Sequence, residues 1–92
     1  MRIIGEILHP IMKITVFKND GKLSIKFESG LIEQIYKFRD DERLQTFEDI
    51  QKVVDEAFIQ KTEEILRGMY EAKQAAMSRH LAIDEEEFET II

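Results

Sequence analysis

Ninety-two residues, 43% hydrophobic and 35% charged, fit one soluble folded domain with no room for a second core. The chain has no cysteine, which excludes disulfides and thiolate metal sites and makes a reducing cytoplasm the expected compartment. Its net charge of −6 is uneven: residues 1–40 carry seven Lys/Arg against five Asp/Glu, residues 41–92 six against fourteen, so only the first part has any basic character to offer a polyanion.

Residues 1–10, MRIIGEILHP, read as an N-terminal extension or edge strand, weakened by Gly5 and closed by His9-Pro10. They make a poor signal peptide, with one arginine, Glu6 and no small-residue cleavage site. No wholly apolar run exceeds three residues, so no membrane span is expected.

Residues 11–38 hold three strand-like runs, IMKITVFK, KLSIKFE and LIEQIYKF, split by Asn19-Asp20-Gly21 and Ser29-Gly30. A two-residue turn at Asp20-Gly21 pairs Asn19 with Lys22, Val16 with Ile25 and Ile14 with Phe27. A two-residue turn at Ser29-Gly30 pairs Phe27 with Ile32, Ile25 with Gln34 and Leu23 with Tyr36. Both turns then agree on one buried face: Met12, Ile14, Val16, Leu23, Ile25, Phe27, Ile32, Tyr36 and Phe38.

The opposite face carries Lys13, Phe17, Lys22, Lys26, Ile35 and Lys37, with Lys13–Glu28 and Lys26–Glu33 as cross-strand pairs. Phe17, Ser24 and Ile35 are expected to form one row, which residues 3–8 fold over. These lysines and Phe17 form a candidate face for a ligand or partner.

Thr46 is a good N-cap, and a long helix over 46–80 follows, with Glu48 and Asp49 favoured in its first turn. Phe47, Ile50, Val54 and Phe58 form its stripe against the sheet. The helix outruns the strands, about 50 Å against about 23 Å. Beyond the sheet Ile65, Met69, Ala72 and Ala76 continue at heptad-like spacing, widened by Leu66, Tyr70 and Met77. Leaving several large apolar side chains in water forgoes about 1.5–3 kcal/mol each. A second copy is therefore expected to cover Ile65, Leu66, Met69, Tyr70, Ala72, Ala76 and Met77 as a symmetric homodimer, in preference to a fold-back of the helix near Gly68, which no Pro or cluster of turn residues supports. Gly68, Ala72 and Ala76, four apart, offer a place for close helix approach. Residues 84–92 are preferred as a short acidic helix capped by Asp84, with Phe88, Ile91 and Ile92 docking back; continuation of the long helix in phase is the alternative.

The fold expected is therefore α+β: a three- or four-stranded antiparallel meander, then a long C-terminal helix that packs on one sheet face and extends beyond it. The run KITVFKNDGKLSIKFESGLIEQIYKF, with VVDEAFIQK behind it, resembles a group of small bacterial proteins that are themselves uncharacterised. That resemblance covers about residues 12–61 and includes no site motif; it implies a recurring meander-plus-helix unit and no activity.

Chemistry is sparse. The four glycines are scattered, so no phosphate loop forms, and Ser78 and His80 point about 200° apart on a helix. His80, Asp84 and Glu87 read as surface charge rather than a metal site. No catalytic residue, metal or cofactor is expected. Two functions from different classes remain. One is a homo-oligomeric protein-interaction or structural module. The other is a single-stranded nucleic-acid binder using the lysine-bearing face, since a meander followed by a long dimerising helix is similar in topology to the PC4- and Whirly-type binders. Glu28 and Glu33 on that face, and the overall acidity, weigh against the second.

Overall fold

The computed structural model describes the backbone of residues 2–39 and 41–91, and side-chain surroundings for residues 2–39 and 41–81. Four antiparallel strands in sequence order, β1 (Arg2–Ile7), β2 (Lys13–Asn19), β3 (Lys22–Ser29) and β4 (Ile32–Arg39), form one sheet. Two helices follow, α1 (Phe47–Val53) and α2 (Glu56–Ile91).

The first hairpin has the register that its turn chemistry dictates: Asn19 opposite Lys22, Val16 opposite Ile25, Ile14 opposite Phe27. Asp20 and Gly21 both take positive φ, 20° and 69°, as the mirror-image turn of a tight hairpin requires. The second hairpin departs from expectation by two residues. Ser29 pairs with Ile32, so Gly30-Leu31 is the turn, and Phe27 faces Gln34, Ile25 faces Tyr36 and Leu23 faces Phe38. The positive φ of 60° falls on Gly30, the first central position, where glycine alone takes it without strain. A shift of two keeps every β4 side chain on its face. The expected core therefore forms despite the changed pairing: Met12, Ile14, Val16, Leu23, Ile25 and Phe27 are buried, and Ile32, Tyr36 and Phe38 pack beside them.

Residues 2–7 do not fold over the outer face. They extend the sheet as an edge strand on β2, with a bulge between Ile3 and Gly5. Gly5 owes its place to Phe47, because a Cβ there would overlap the Phe47 ring.

Nor is the helix continuous from Thr46. The Thr46 hydroxyl accepts from the Asp49 N–H while the Asp49 carboxylate accepts from the N–H groups of Gln45 and Thr46, a complete capping box. That first helix ends at Val54, whose φ of −81° and ψ of 70°, with a bond from Asp55 N–H to Val53 C=O, make an inverse γ-turn. Asp55 then caps α2 by accepting from Phe58 N–H at 2.9 Å. Two adjacent β-branched valines followed by a strong capping residue are the local cause. The break lets α1 lie over β1 while α2 crosses β4.

Along the sheet α2 runs antiparallel to β4. Phe58 meets Phe27 and Tyr36 edge-on, with ring centroids 5.1–5.8 Å apart across the three rings. One turn on, the Gln34 amide donates to Thr62 C=O at 2.8 Å and its oxygen accepts from Tyr36 O–H at 2.6 Å. These bonds satisfy the polar groups that this seam buries. α2 continues as one element to Ile91 in place of the expected short second helix. Docking of Phe88, Ile91 and Ile92 lies outside the described residues. The molecule measures 63 × 27 × 17 Å and its radius of gyration is 18.3 Å, against about 12 Å for a compact chain of this length.

Candidate interaction surfaces

The first surface is where α2 leaves the sheet. Strands of eight residues stand about 26 Å tall, and a 36-residue helix is about 54 Å long. Tyr70 is level with the Gly30-Leu31 turn, so residues 71–91 project about 31 Å past it.

Two of the side chains expected on the dimer seam belong to the core instead. Leu66 is 7% exposed, and Met69 is half-buried against the same cluster. Both lie within the stretch of α2 that the sheet still backs, with Ile32 beside Leu66. Ile65, Tyr70, Ala72, Ala76 and Met77 are exposed, with Tyr70 at 55% and Met77 at 45%. Leu81, at 42%, joins them. Its spacing of eleven from Tyr70 and four from Met77 marks the same face. The Gln74 amide donates to Tyr70 O–H at 3.2 Å on that face. Gly68, by contrast, faces open space, for a Cβ built there meets nothing within 4 Å.

Beside Tyr70 lies a cleft of about 260 Å³ lined by Ile11, Met12, Ser29, Ile32, Glu63, Leu66, Arg67 and Tyr70. It continues along Gly30, Leu31, Lys73 and Gln74. Leu31 is 90% exposed at the turn tip, and Ile11 stands largely exposed on the other wall. The Ile11 wall is held by His9. Its Nδ1 accepts from the N–H groups of Ile11 and Met12 at 3.1 and 3.2 Å, which leaves Nε2 to donate to Glu63 Oε1 at 3.2 Å. His9 is thus a loop residue, as its proline neighbour suggests, but it ties the end of β1 to α2.

The second surface is the outer sheet face. Lys13, Lys22 and Lys37 are exposed, Ile35 half-exposed, and Phe17 and Lys26 intermediate. The expected row of Phe17, Ser24 and Ile35 is not formed: the shifted hairpin puts Lys37 opposite Ser24 and Ile35 opposite Lys26. Lys13 does face Glu28. The Lys26 ammonium lies 5.4 Å from the Phe17 ring centroid and within 3.8 and 4.0 Å of the carboxylates of Glu28 and Glu33. The central cation of this face is therefore shared between an aromatic ring and two acids. Next to it Thr15 is nearly fully buried, and its hydroxyl has no hydrogen-bond partner among the described residues.

Among the described residues no cluster of three His, Asp or Glu could hold a metal ion, and no helix is long and apolar enough to cross a membrane. Asp84 and Glu87 lie outside the described side chains. No family model, curated protein or solved structure matches the chain.

Proposed function

We propose that this protein is a small homo-oligomeric module that acts through protein–protein contact, without catalysis or a cofactor, and that it self-associates through the part of α2 beyond the sheet. The observation that carries this is the exposed line of Tyr70, Met77 and Leu81 on a helix projecting from a small core, beside an apolar cleft. An isolated helical projection gains little from its own backbone bonds in water, and packing of an amphipathic face is what stabilises such helices. A ninety-two-residue chain with a one-sided sheet has few other sources of burial. The open sheet face and the β1 edge are left for a protein partner. A cysteine-free chain suits the reducing cytoplasm.

Single-stranded nucleic acid is the second candidate, favoured by Lys13, Lys22 and Lys37 on the same face as Phe17. Stacking of a base on Phe17 requires moving Lys26 off the ring, and Glu28 and Glu33 already neutralise that lysine. The net charge of −6 adds long-range repulsion. Light scattering, first on the protein alone and then with a single-stranded oligonucleotide at low salt, separates the two. A dimer indifferent to the oligonucleotide fits self-association; a mass that shifts with it, and reverses with salt, promotes the nucleic-acid role. A strict monomer would refute self-association.

A further inference from the structure

We propose that two copies pair antiparallel through the Tyr70–Leu81 face of α2, so that the projecting helix of each lies along the cleft of the other. This rests on the self-association proposed above and adds its face, orientation and register.

The face follows from spacing. Tyr70, Gln74, Met77 and Leu81 recur at steps of four, three and four, the period of a helix seam. Leu66 and Met69, one turn earlier, are already taken by the core, so the usable seam begins at Tyr70. The cleft wall adjoins it at Ile11 and Leu31, both exposed and apolar. On the Gly68 side nothing lies within 4 Å of a Cβ, and Glu64 and Glu71 flank it.

The orientation follows from charge. Residues 81–92 contain five acids, at 84–87 and 89, and no Lys or Arg. A parallel pair sets the two acidic runs side by side, whereas an antiparallel pair separates them, places the start of each run beside Arg67 of its mate and leaves Glu63 to its own His9. Arg67 lines the cleft and enters no ion pair among the described residues. Like charges in register along adjoining helices repel, and opposite charges select the pairing.

The register follows from reach. The cleft extends from Gln74 back to Glu63. With Leu81 opposite Tyr70, and hence Met77 opposite Gln74, a partner helix ending at Ile91 covers that whole length. One heptad further out it would stop at Arg67. Each copy then contributes both a projecting helix about 31 Å long, with a face about 10 Å wide, and a cleft that receives its mate's. Because residues 71–74 belong to both, the contact runs from Glu63 to Ile91, about 43 Å, or on the order of 430 Å² per copy, the size of a weak, reversible pairing.

The absence of native cysteine makes the test clean. Tyr70→Cys and Leu81→Cys chains, carrying different tags, are co-expressed, oxidised and separated under denaturing conditions. The expected result is a disulfide joining the two different chains, with each variant alone remaining uncrosslinked, because only the antiparallel register brings positions 70 and 81 within disulfide reach. Self-crosslinking of each variant alone would mean parallel helices and overturn the proposal. No disulfide in a protein that light scattering finds dimeric would place the interface on another face, overturning this inference but not self-association. A monomeric wild type removes both.

Discussion

Replacing Met77 by lysine should separate association from folding. Met77 is 45% exposed in the single chain and touches no part of the core cluster. Full burial of a methionine is worth about 1.5–3 kcal/mol, so the exposed fraction leaves roughly 0.7–1.3 kcal/mol to be gained on association. A two-fold interface counts it twice, giving about 1.5–2.5 kcal/mol per dimer, or an approximately 10- to 60-fold rise in the dimer Kd from lost burial alone. Two ammonium groups brought near one two-fold axis add to that. The fold itself should be indifferent, because lysine and methionine have similar helix propensities and an exposed change is typically within about 0.5 kcal/mol. The assay is analytical ultracentrifugation across a dilution series, with urea unfolding at several protein concentrations. The wild-type midpoint should rise with concentration, as mass action requires of a folded dimer, and the midpoint for M77K should not. Leu66→Ala is the control. It empties a buried site, should lower unfolding free energy by about 2–5 kcal/mol, and should do so in the monomer as well. An unchanged mass for M77K at concentrations near the wild-type Kd would refute the placement of Met77 in the interface.

Three further outcomes are expected. Gly68→Ala should stabilise by up to about 1 kcal/mol and leave the mass unchanged, since nothing lies within 4 Å of the new methyl; a weakened dimer would instead place a partner backbone on the Gly68 face. Gly5→Ala should destabilise by about 1–3 kcal/mol by urea unfolding, although a strand glycine usually gains from a Cβ, because the methyl would overlap the Phe47 ring; adding Phe47→Leu should recover part of the loss, and no recovery would remove Phe47 as the cause. The Asp49 carboxyl is held below its ordinary value of 3.8 by the N–H groups of Gln45 and Thr46, so its support of α1 is complete above that value and lost as pH falls through the lower folded value. Circular dichroism from about pH 5 down to about pH 2 should show Asp49→Asn lacking that component of the acid transition, and superimposable curves would refute it.

The sheet's faces were legible because alternation is a two-state code that survives error. A turn at Ser29-Gly30 sits one residue too early, yet the resulting shift of two leaves Leu23, Ile25 and Phe27 facing the same side. What parity did not protect was cross-strand neighbourhood, and so the outer row of Phe17, Ser24 and Ile35 was wrong. The helix break was available in Val53-Val54-Asp55, but a stripe that stays in phase across it masks a cap in its midst. Gly5 looked like a weak strand residue, for its reason is a ring some forty positions away. No local pattern records such a contact.

The division of α2 into core and seam shows why a periodic pattern alone cannot set an interface. Heptad spacing runs unbroken from Phe58 to Ala76, and nothing in it marks where the sheet stops. The limit is set by β4: Gln34 holds Thr62, Ile32 lies by Leu66, and the Gly30-Leu31 turn ends the wall at Tyr70. From there the stripe loses its mate and drifts toward Tyr70, Met77 and Leu81, as a straight helix of 3.6 residues per turn must drift against a 3.5-residue repeat. The residues that close the fold and the apolar residues left exposed therefore share one helix and one pattern. Burial separates them, and substituting Leu66 and Met77 in turn exposes the boundary: one weakens the chain, the other only the pair.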